Sequence, residues 1–339
     1  MFYPLLHLSV LGNVGNIMKR QYFINKILQA MLTIIFVLIF NYFLFRVMPG
    51  DPLAMIMRNP KASPEAVQKT IEMFGLGKAW YIQFGIYFKN LFIGDLGISF
   101  LYKRPVIGII AEKVMPTIIM VGIAEVLAII VGVFLGVVAA WKRGTKIDVI
   151  ALTSSLITYS MPTFWLGIVL VSIFSVFLRL FPTSGMLTPG KTFLSSWSLI
   201  KDSISHLFLP VLTLSLVLIG EYALIMRNTL IDVLTEDYMV TAKAKGFDQN
   251  YLIRKHAIPN AMLPMITIIA INLGLVIGGT IQVETIFSWP GIGRLMYTAL
   301  KNRDYPLLQG IFLLITVAVI FANLIADLTY GYLDPRVKD

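Results

Sequence analysis

The stretch "GMLTPGKT", Gly185 to Thr192, matches the phosphate-loop pattern G-x-x-x-x-G-K-[ST] at every fixed position. Such a loop cradles nucleotide phosphates only when a buried strand leads into it and a helix leaves it, so that backbone amides converge on the anion. Here the preceding "SVFLRLFPTS" is the end of an apolar run, and Pro189 sits inside the loop. No separate nucleotide domain remains to supply a magnesium-binding strand. The match is read as coincidence, and no cofactor is expected on this chain. Cysteine is absent, which removes disulfides, thiolate metal sites and thiol nucleophiles. The three histidines, His7, His206 and His256, lie far apart without ligand spacing. With no nucleophile–base or metal constellation, the chain is not expected to be an enzyme.

The remaining chemistry-bearing residues are acids set within long apolar runs. Glu125, in "GIAEVLAII", falls near the middle of one such run. A charge at the bilayer centre costs about 2.5 to 3.5 kcal/mol on insertion scales, so this carboxyl must face protein or water, or carry a proton. It either makes a structural hydrogen bond or lines an internal solute path. Glu221 is placed similarly nearer the end of its run, with Arg227 within two turns as a candidate partner. Asp327, close to the end of the last run, is expected to meet water or a basic loop residue. The pairs Gly132/Gly136 and Gly274/Gly278, the latter followed by Gly279, let helices approach closely. For the first pair, static packing within one bundle is expected.

These residues are positioned by lipid-length elements. The chain is 57% hydrophobic and 14% charged over 339 residues, with repeated apolar stretches of roughly 20 residues. This predicts an all-α polytopic membrane protein with six spans, at 25–47, 112–140, 149–179, 207–226, 262–283 and 307–328. The net charge of +10 would suggest nucleic acid in a soluble protein, but the basic residues flank the spans as orientation signals do. Nucleic acid is therefore not an expected partner; membrane lipid is. With both termini inside, thirteen Lys and Arg fall on the inner segments against five on the two short outer loops, which favours an N-in, C-in topology.

The resulting divisions are an inner N-terminal segment 1–24, a first span 25–47, an outer segment 48–111, a five-helix core 112–328 containing an inner loop 227–261, and an inner tail 329–339. Residues 1–17 carry no charge and lack a signal-peptide pattern, and "MKRQYFINK" from Met18 reads as a more ordinary beginning. In the outer segment Ser63-Pro64-Glu65 starts a helix that Gly75 ends. "AWYIQFGIYFKNLF" is too short to cross and reads as a surface-lying helix. It is either a lid over the bundle or a docking surface for an external partner.

The inner loop holds the longest polar interruption of the second half, "DYMVTAKAKGFDQNYLIRKHAIPN", residues 237–260. Thr235 is placed to cap a helix whose last turn carries Lys243 and Lys245, and Gly246 to end it in the left-handed conformation. Asp248 caps a second helix, expected to end at Ile258 because Pro259 follows. Thr241, Ala242, Ala244 and Gly246 are small enough to let another protein approach the backbone. Tyr238 adds an aromatic knob, and Lys245 closes the same corner. The alternative is an amphipathic helix on the inner leaflet, for which Tyr238, Ala242 and Lys245 make a weak lipid face.

This loop resembles that of the integral-membrane subunits of ATP-binding-cassette importers, whose motif runs Glu-Ala-Ala, three residues, Gly, nine residues, Ile-x-Leu-Pro. Ala242, Gly246 and Pro259 agree in identity and Ile258 in kind, while Val240, Thr241 and His256 depart. The form "Y-x-x-T-A-x-A-K-G" is similar to the dipeptide, oligopeptide and nickel branch, as are "FRVMPGDP" at 45–52, "VETIFSWPGIG" at 283–293, "RDYPLLQG" at 303–310 and "LDPR" at 333–336. The resemblance implies a type I importer permease fold in a prokaryotic inner membrane, a second homologous permease subunit, two ATPase subunits that hold ATP and magnesium, and an external solute-binding protein. It implies ATPase coupling through Tyr238, Thr241, Ala242, Lys245, Gly246, Ile258 and Pro259. It also places the fifth span on the path between the two subunits, with Asn272, Gly278 and Gln282 as path residues, and Glu125 of the second span joins them as the intramembrane acid expected to line the cavity. Short peptides are the implied cargo, with nickel or oligosaccharides as alternatives. A self-sufficient ion-coupled transporter is the rival class, but no internal repeat or intramembrane ion cluster supports it.

Overall fold

Backbone crossing lipid has no water to bond with and must satisfy its own amides, which leaves helices as the solution for these apolar runs. They take that form in a computed structural model, which describes residues 5–47, 64–75, 77–193 and 195–333. Among the described residues the only β feature is an isolated bridge between Ile98 and Pro105. Among the described residues five helical segments are long and apolar enough to cross a membrane alone, and a bent pair makes a sixth if it is taken as one span. Ser63, residues 48–62 and residues 334–339 lie outside the described residues, and with them most of "FRVMPGDP" and "LDPR".

The chain opens with α1 (Leu5–Val47), followed by two short helices, α2 (Pro64–Phe74) and α3 (Trp80–Ile93). Gly75 follows α2 at φ +60°. On α3, Phe84 and Tyr87 pack against Tyr42 of α1, whose hydroxyl donates to the Trp80 carbonyl at 2.9 Å. Next come α4 (Val106–Trp141) and α5 (Lys146–Ser160). The expected unbroken helix over 149–179 does not form. The chain bends by 102° after α5 and continues as α6 (Thr163–Leu170) and a π turn, Val171–Phe177. Pro162 explains the break, since it disfavours helical backbone at the residue before it, and Met161 is extended at φ −74°, ψ 131°.

The long helix α7 (Ser196–Leu234) begins well before the expected Leu207, with the Ser195 hydroxyl accepting from the Ser198 amide at 3.3 Å. Apolar counting marks only the lipid-depth part of such a helix. The polar turns beyond it persist because their side chains find partners, Asp202 above all. Beyond α7 lie α8 (Asp237–Ala244), α9 (Gln249–Leu252), a π turn at Ile253–Ala257, and α10 (Ile258–Gly279). The chain closes with α11 (Ile281–Ile286), α12 (Ile292–Lys301) and α13 (Tyr305–Leu333).

The centre of the bundle is the contact of α4 with α7. A Cβ on Gly132 would stand 2.7 Å from Tyr222 Cβ, and one on Gly136 would stand 2.7 Å from the Ala223 carbonyl, so glycine is what lets these two helices touch. The first glycine pair thus packs within this bundle. Three apolar clusters follow the bundle. One joins Met226 and Leu230 of α7 to Met239, Leu252 and Ala257 at the end bearing α8. A central one gathers Met120, Leu209, Phe287 and Trp289. The third packs Val106 and Ile109 of α4 on Leu295 and Leu307 at the opposite end. By the charge asymmetry of the sequence, the α8 end is the inner one. There Asp327 meets Lys26 of α1 at 3.0 Å, so its partner belongs to a helix and not to a loop.

Candidate coupling loop and intramembrane polar network

At the inner end of α7, Thr235 closes that helix by donating to the Asp232 carbonyl at 2.7 Å, and Glu236 takes the cap position of α8 that sequence reasoning gave to Thr235. A buried Met239 anchors α8 on the cluster with Leu230 and Leu252. Tyr238, Thr241 and Lys245 are exposed and Ala242 half-buried. Gly246 turns the corner at φ +83°, with open space where a Cβ would be. Asp248 caps α9 as expected, accepting from Asn250 and Tyr251 amides at 2.9 and 3.3 Å. The expected stop at Ile258 is absent. Pro259 follows directly on the π turn at Ile253–Ala257, the backbone stays helical through Ala257 at φ −76°, ψ −50°, and the helix runs on. Tyr238, Thr241, Ala242, Lys245 and Gly246 therefore share one corner, while Ile258 and Pro259 belong to the membrane helix that follows. Sequence reasoning missed the aromatic side of the corner. Phe247 stacks on Tyr251 at 5.5 Å and Lys255 lies over the Tyr251 ring at 5.6 Å. The spacing of four residues between the two aromatics was the available signal.

Within the bundle, Glu125 is only 2% exposed. Its Oε1 accepts from the Tyr222 hydroxyl, and Oε2 has no hydrogen-bond partner among the described residues. Asn272 of α10 donates through Nδ2 to Glu221 Oε2 at 3.0 Å and to the Tyr222 hydroxyl oxygen at 3.2 Å. Two acids, a phenol and an amide from three helices thus form one network. The expected Glu221–Arg227 contact gives way to a different pair, in which Arg227 Nε and Nη2 donate to Asp148 of α5 at 2.6 and 2.9 Å. Gln282 is exposed on α11, apart from this network. Gly278 lies in a stretch of α10 whose surroundings are outside the described residues. Tyr222 was missed because an aromatic residue in an apolar helix carries no signal of its own.

At the outer end, two of the quoted motifs are anchors. Glu284, wholly buried, accepts from Thr117 Oγ1 at 2.7 Å and from the Arg294 amide at 2.8 Å, while Trp289 donates to the Pro116 carbonyl at 3.0 Å. These bonds tie the turn between α11 and α12 to α4. Asp304 accepts from Ser99 Oγ and from the Leu101 amide at 3.0 Å, and its Oδ1 caps α13 by accepting from the Leu307 amide at 3.3 Å. Partial desolvation, with the Asp304 carboxylate close by, raises the Tyr102 phenol above its ordinary pKa, though the residue is 41% exposed.

The phosphate-loop look-alike takes no part in nucleotide geometry. Irregular backbone over 178–184, not a strand, leads into it, and Lys191 is bound to Asp202 at 2.9 Å. Thr188 donates to the same carboxylate through its amide at 2.7 Å and its hydroxyl at 2.8 Å.

Comparison with known proteins agrees with this architecture. A family described as "Binding-protein-dependent transport system inner membrane component" matches residues 132–339, and its N-terminal counterpart matches residues 18–121. The chain is 34% identical to the dipeptide transport system permease protein DppB of Alkalihalophilus pseudofirmus, with 94% of this chain and 99% of that one covered. It is 35% identical to the glutathione transport system permease protein GsiC of Escherichia coli at the same coverage. It is 36% identical to the probable peptide ABC transporter permease protein y4tP of Sinorhizobium fredii, again over 94% and 99%. Among solved structures, a chain of the inward-facing MetNI methionine ABC transporter superposes with a TM-score of 0.54 at 15% identity, over 67% of this chain and 97% of that one. The chain therefore belongs to the family of inner membrane components of binding-protein-dependent transport systems, as a multi-pass transport subunit and not an enzyme.

Proposed function

We propose that this chain forms half of the translocation path of an ATP-driven importer for di- and oligopeptides. In this reading it pairs with a second, homologous permease subunit and sits on two ATPase subunits that carry ATP and magnesium. An external solute-binding protein delivers the cargo. The observation that carries the reading is the corner at Gly246. A short helix is held at one end by α7 and at the other by α9 and α10, is anchored underneath by Met239, and presents Tyr238, Thr241 and Lys245 outward. A helix fixed to membrane spans at both ends passes a push from below into those spans. Closure of the ATPase pair then rocks the two bundles between inward-open and outward-open states. Peptide cargo is supported by relatives named for dipeptide, glutathione and peptide transport.

Glu125, Asn272, Gly278 and Gln282 are assigned to the solute path. Glu125 is enclosed here and becomes reachable when α10, which carries Asn272, withdraws from α7. The test is co-purification of the tagged chain with its ATPase subunits, with a cysteine introduced at Thr241 for crosslinking. Crosslinks to an ATPase subunit, and loss of that subunit with Gly246→Pro, are expected. Crosslinks to lipid alone, or solute pumping by the bare chain, overturn the reading. The ligand bound by the partner solute-binding protein then decides the cargo.

A further inference from the structure

The Asp148–Arg227 pair, to which the proposed function gives no role, lies at the inner ends of α5 and α7. Asp148 is 4% exposed, and its carboxylate accepts both Arg227 bonds in a forked geometry, with a third bond from the Gly144 amide at 2.9 Å. Gly144 reaches this position from the left-handed conformation, at φ +79°. One carboxylate thus holds the α4–α5 turn, the first turn of α5 and the inner part of α7. Two turns above Arg227, Gly220 packs so closely on α5 that a Cβ there would stand 2.6 Å from the Ser155 carbonyl. Joined at two heights, α5 and α7 are braced against sliding past one another. Below the pair, α7 is continuous to Leu234, and α8 is fixed under it by Met239. Arg227 is half-buried and Asp148 buried, so the forked pair contributes little net stability but favours one arrangement, because the Asp148 carboxylate left there without its partner is costly.

We propose that Asp148 and Arg227 are positioning residues for coupling. They make the α4–α5 turn and α5 travel with α7 when α8 is pushed, so that the first half of the bent pair moves with the coupling loop. The proposal rests on the coupling role given to α8 above. It implies that this pair stays closed through the whole transport cycle, whereas a latch that opens would have to break.

This chain has no native cysteine, so with partner subunits whose own cysteines have been replaced the assembled importer in proteoliposomes allows a clean test. An Asp148→Cys/Arg227→Cys variant is compared before and after bridging by a short bifunctional methanethiosulfonate reagent, which takes the place of the lost side chains. Solute moved per ATP hydrolysed is the readout. The unbridged variant is expected to lose about tenfold in this ratio, and bridging to restore it to within about threefold of the unsubstituted importer. A second variant, Asp148→Arg/Arg227→Asp, is expected to transport better per ATP than Asp148→Arg alone. A bridge that stops transport, or an unbridged variant with an undiminished ratio, overturns the proposal. Failure of the unsubstituted chain to bring down any ATPase subunit overturns the coupling role itself, a result distinguishable from either.

Discussion

At the residue scale, the most constrained position of the inner loop is Gly246. Its φ of +83° is unfavourable for a residue with a Cβ, although nothing nearby would clash with one. A left-handed non-glycine residue costs roughly 1–2 kcal/mol, less for asparagine. Gly246→Ala is therefore expected to weaken capture of the ATPase subunits several-fold in co-purification, with Gly246→Asn milder and the unfolding temperature of the bundle little changed. Tyr222 answers to a different cost. Its hydroxyl serves Glu125 and Asn272 at once, and a buried polar group left without a partner costs about 1–3 kcal/mol. Tyr222→Phe should lower the unfolding temperature in detergent. Adding Glu125→Gln should cost less than the sum of the two single changes, because they share one interaction.

At the element scale, helix contact is governed by which glycines face a neighbour. On α4, Gly132 and Gly136 press on α7, while Gly122 of the same helix has nothing within 4 Å. Gly132→Leu and Gly136→Leu are expected to separate α4 from α7 and yield protein that aggregates on extraction. Gly122→Ala should be tolerated, with a gain of up to about 1 kcal/mol from helix propensity. Size-exclusion profiles and thermal unfolding check both. The turn between α11 and α12 depends on one side chain, since Glu284 bonds to α4 and to the start of α12 together. Glu284→Ala should release that turn and increase protease cleavage near Ser288, whereas Thr117→Ser, which keeps the hydroxyl, should not.

At the scale of the whole molecule, the proposed function places nucleotide chemistry on other subunits, and the fate of Lys191 tests this division. Its ammonium is held by Asp202 on the outer side of the bundle. Lys191→Ala is therefore expected to leave ATP hydrolysis by the assembled importer unchanged within about twofold, while loosening the outer loop. Loss of nucleotide binding with that change would return the look-alike to consideration. The path residues are tested at the same scale. Glu125→Gln, which keeps the shape and removes the charge, is expected to alter transport rate or peptide preference. Unchanged transport would remove Glu125 from the path.

What could be read from the chain alone followed from rules that act locally. Lipid-length apolar runs become helices because backbone in lipid must bond to itself. Gly246 and Asp248 announced a corner because left-handed backbone and helix capping depend on one or two residues. Pro162 carried the same kind of signal for the break between α5 and α6, outweighed by the apolar run around it. The pairings were a different matter. That Arg227 binds Asp148 and not Glu221, that Tyr222 and Asn272 complete the setting of Glu125, and that Asp304 serves both Ser99 and the start of α13 depend on which helix faces lie together. Those faces are selected by close packing over the whole bundle, where a buried polar group bonds to whatever the fold brings within reach, however far away in the chain.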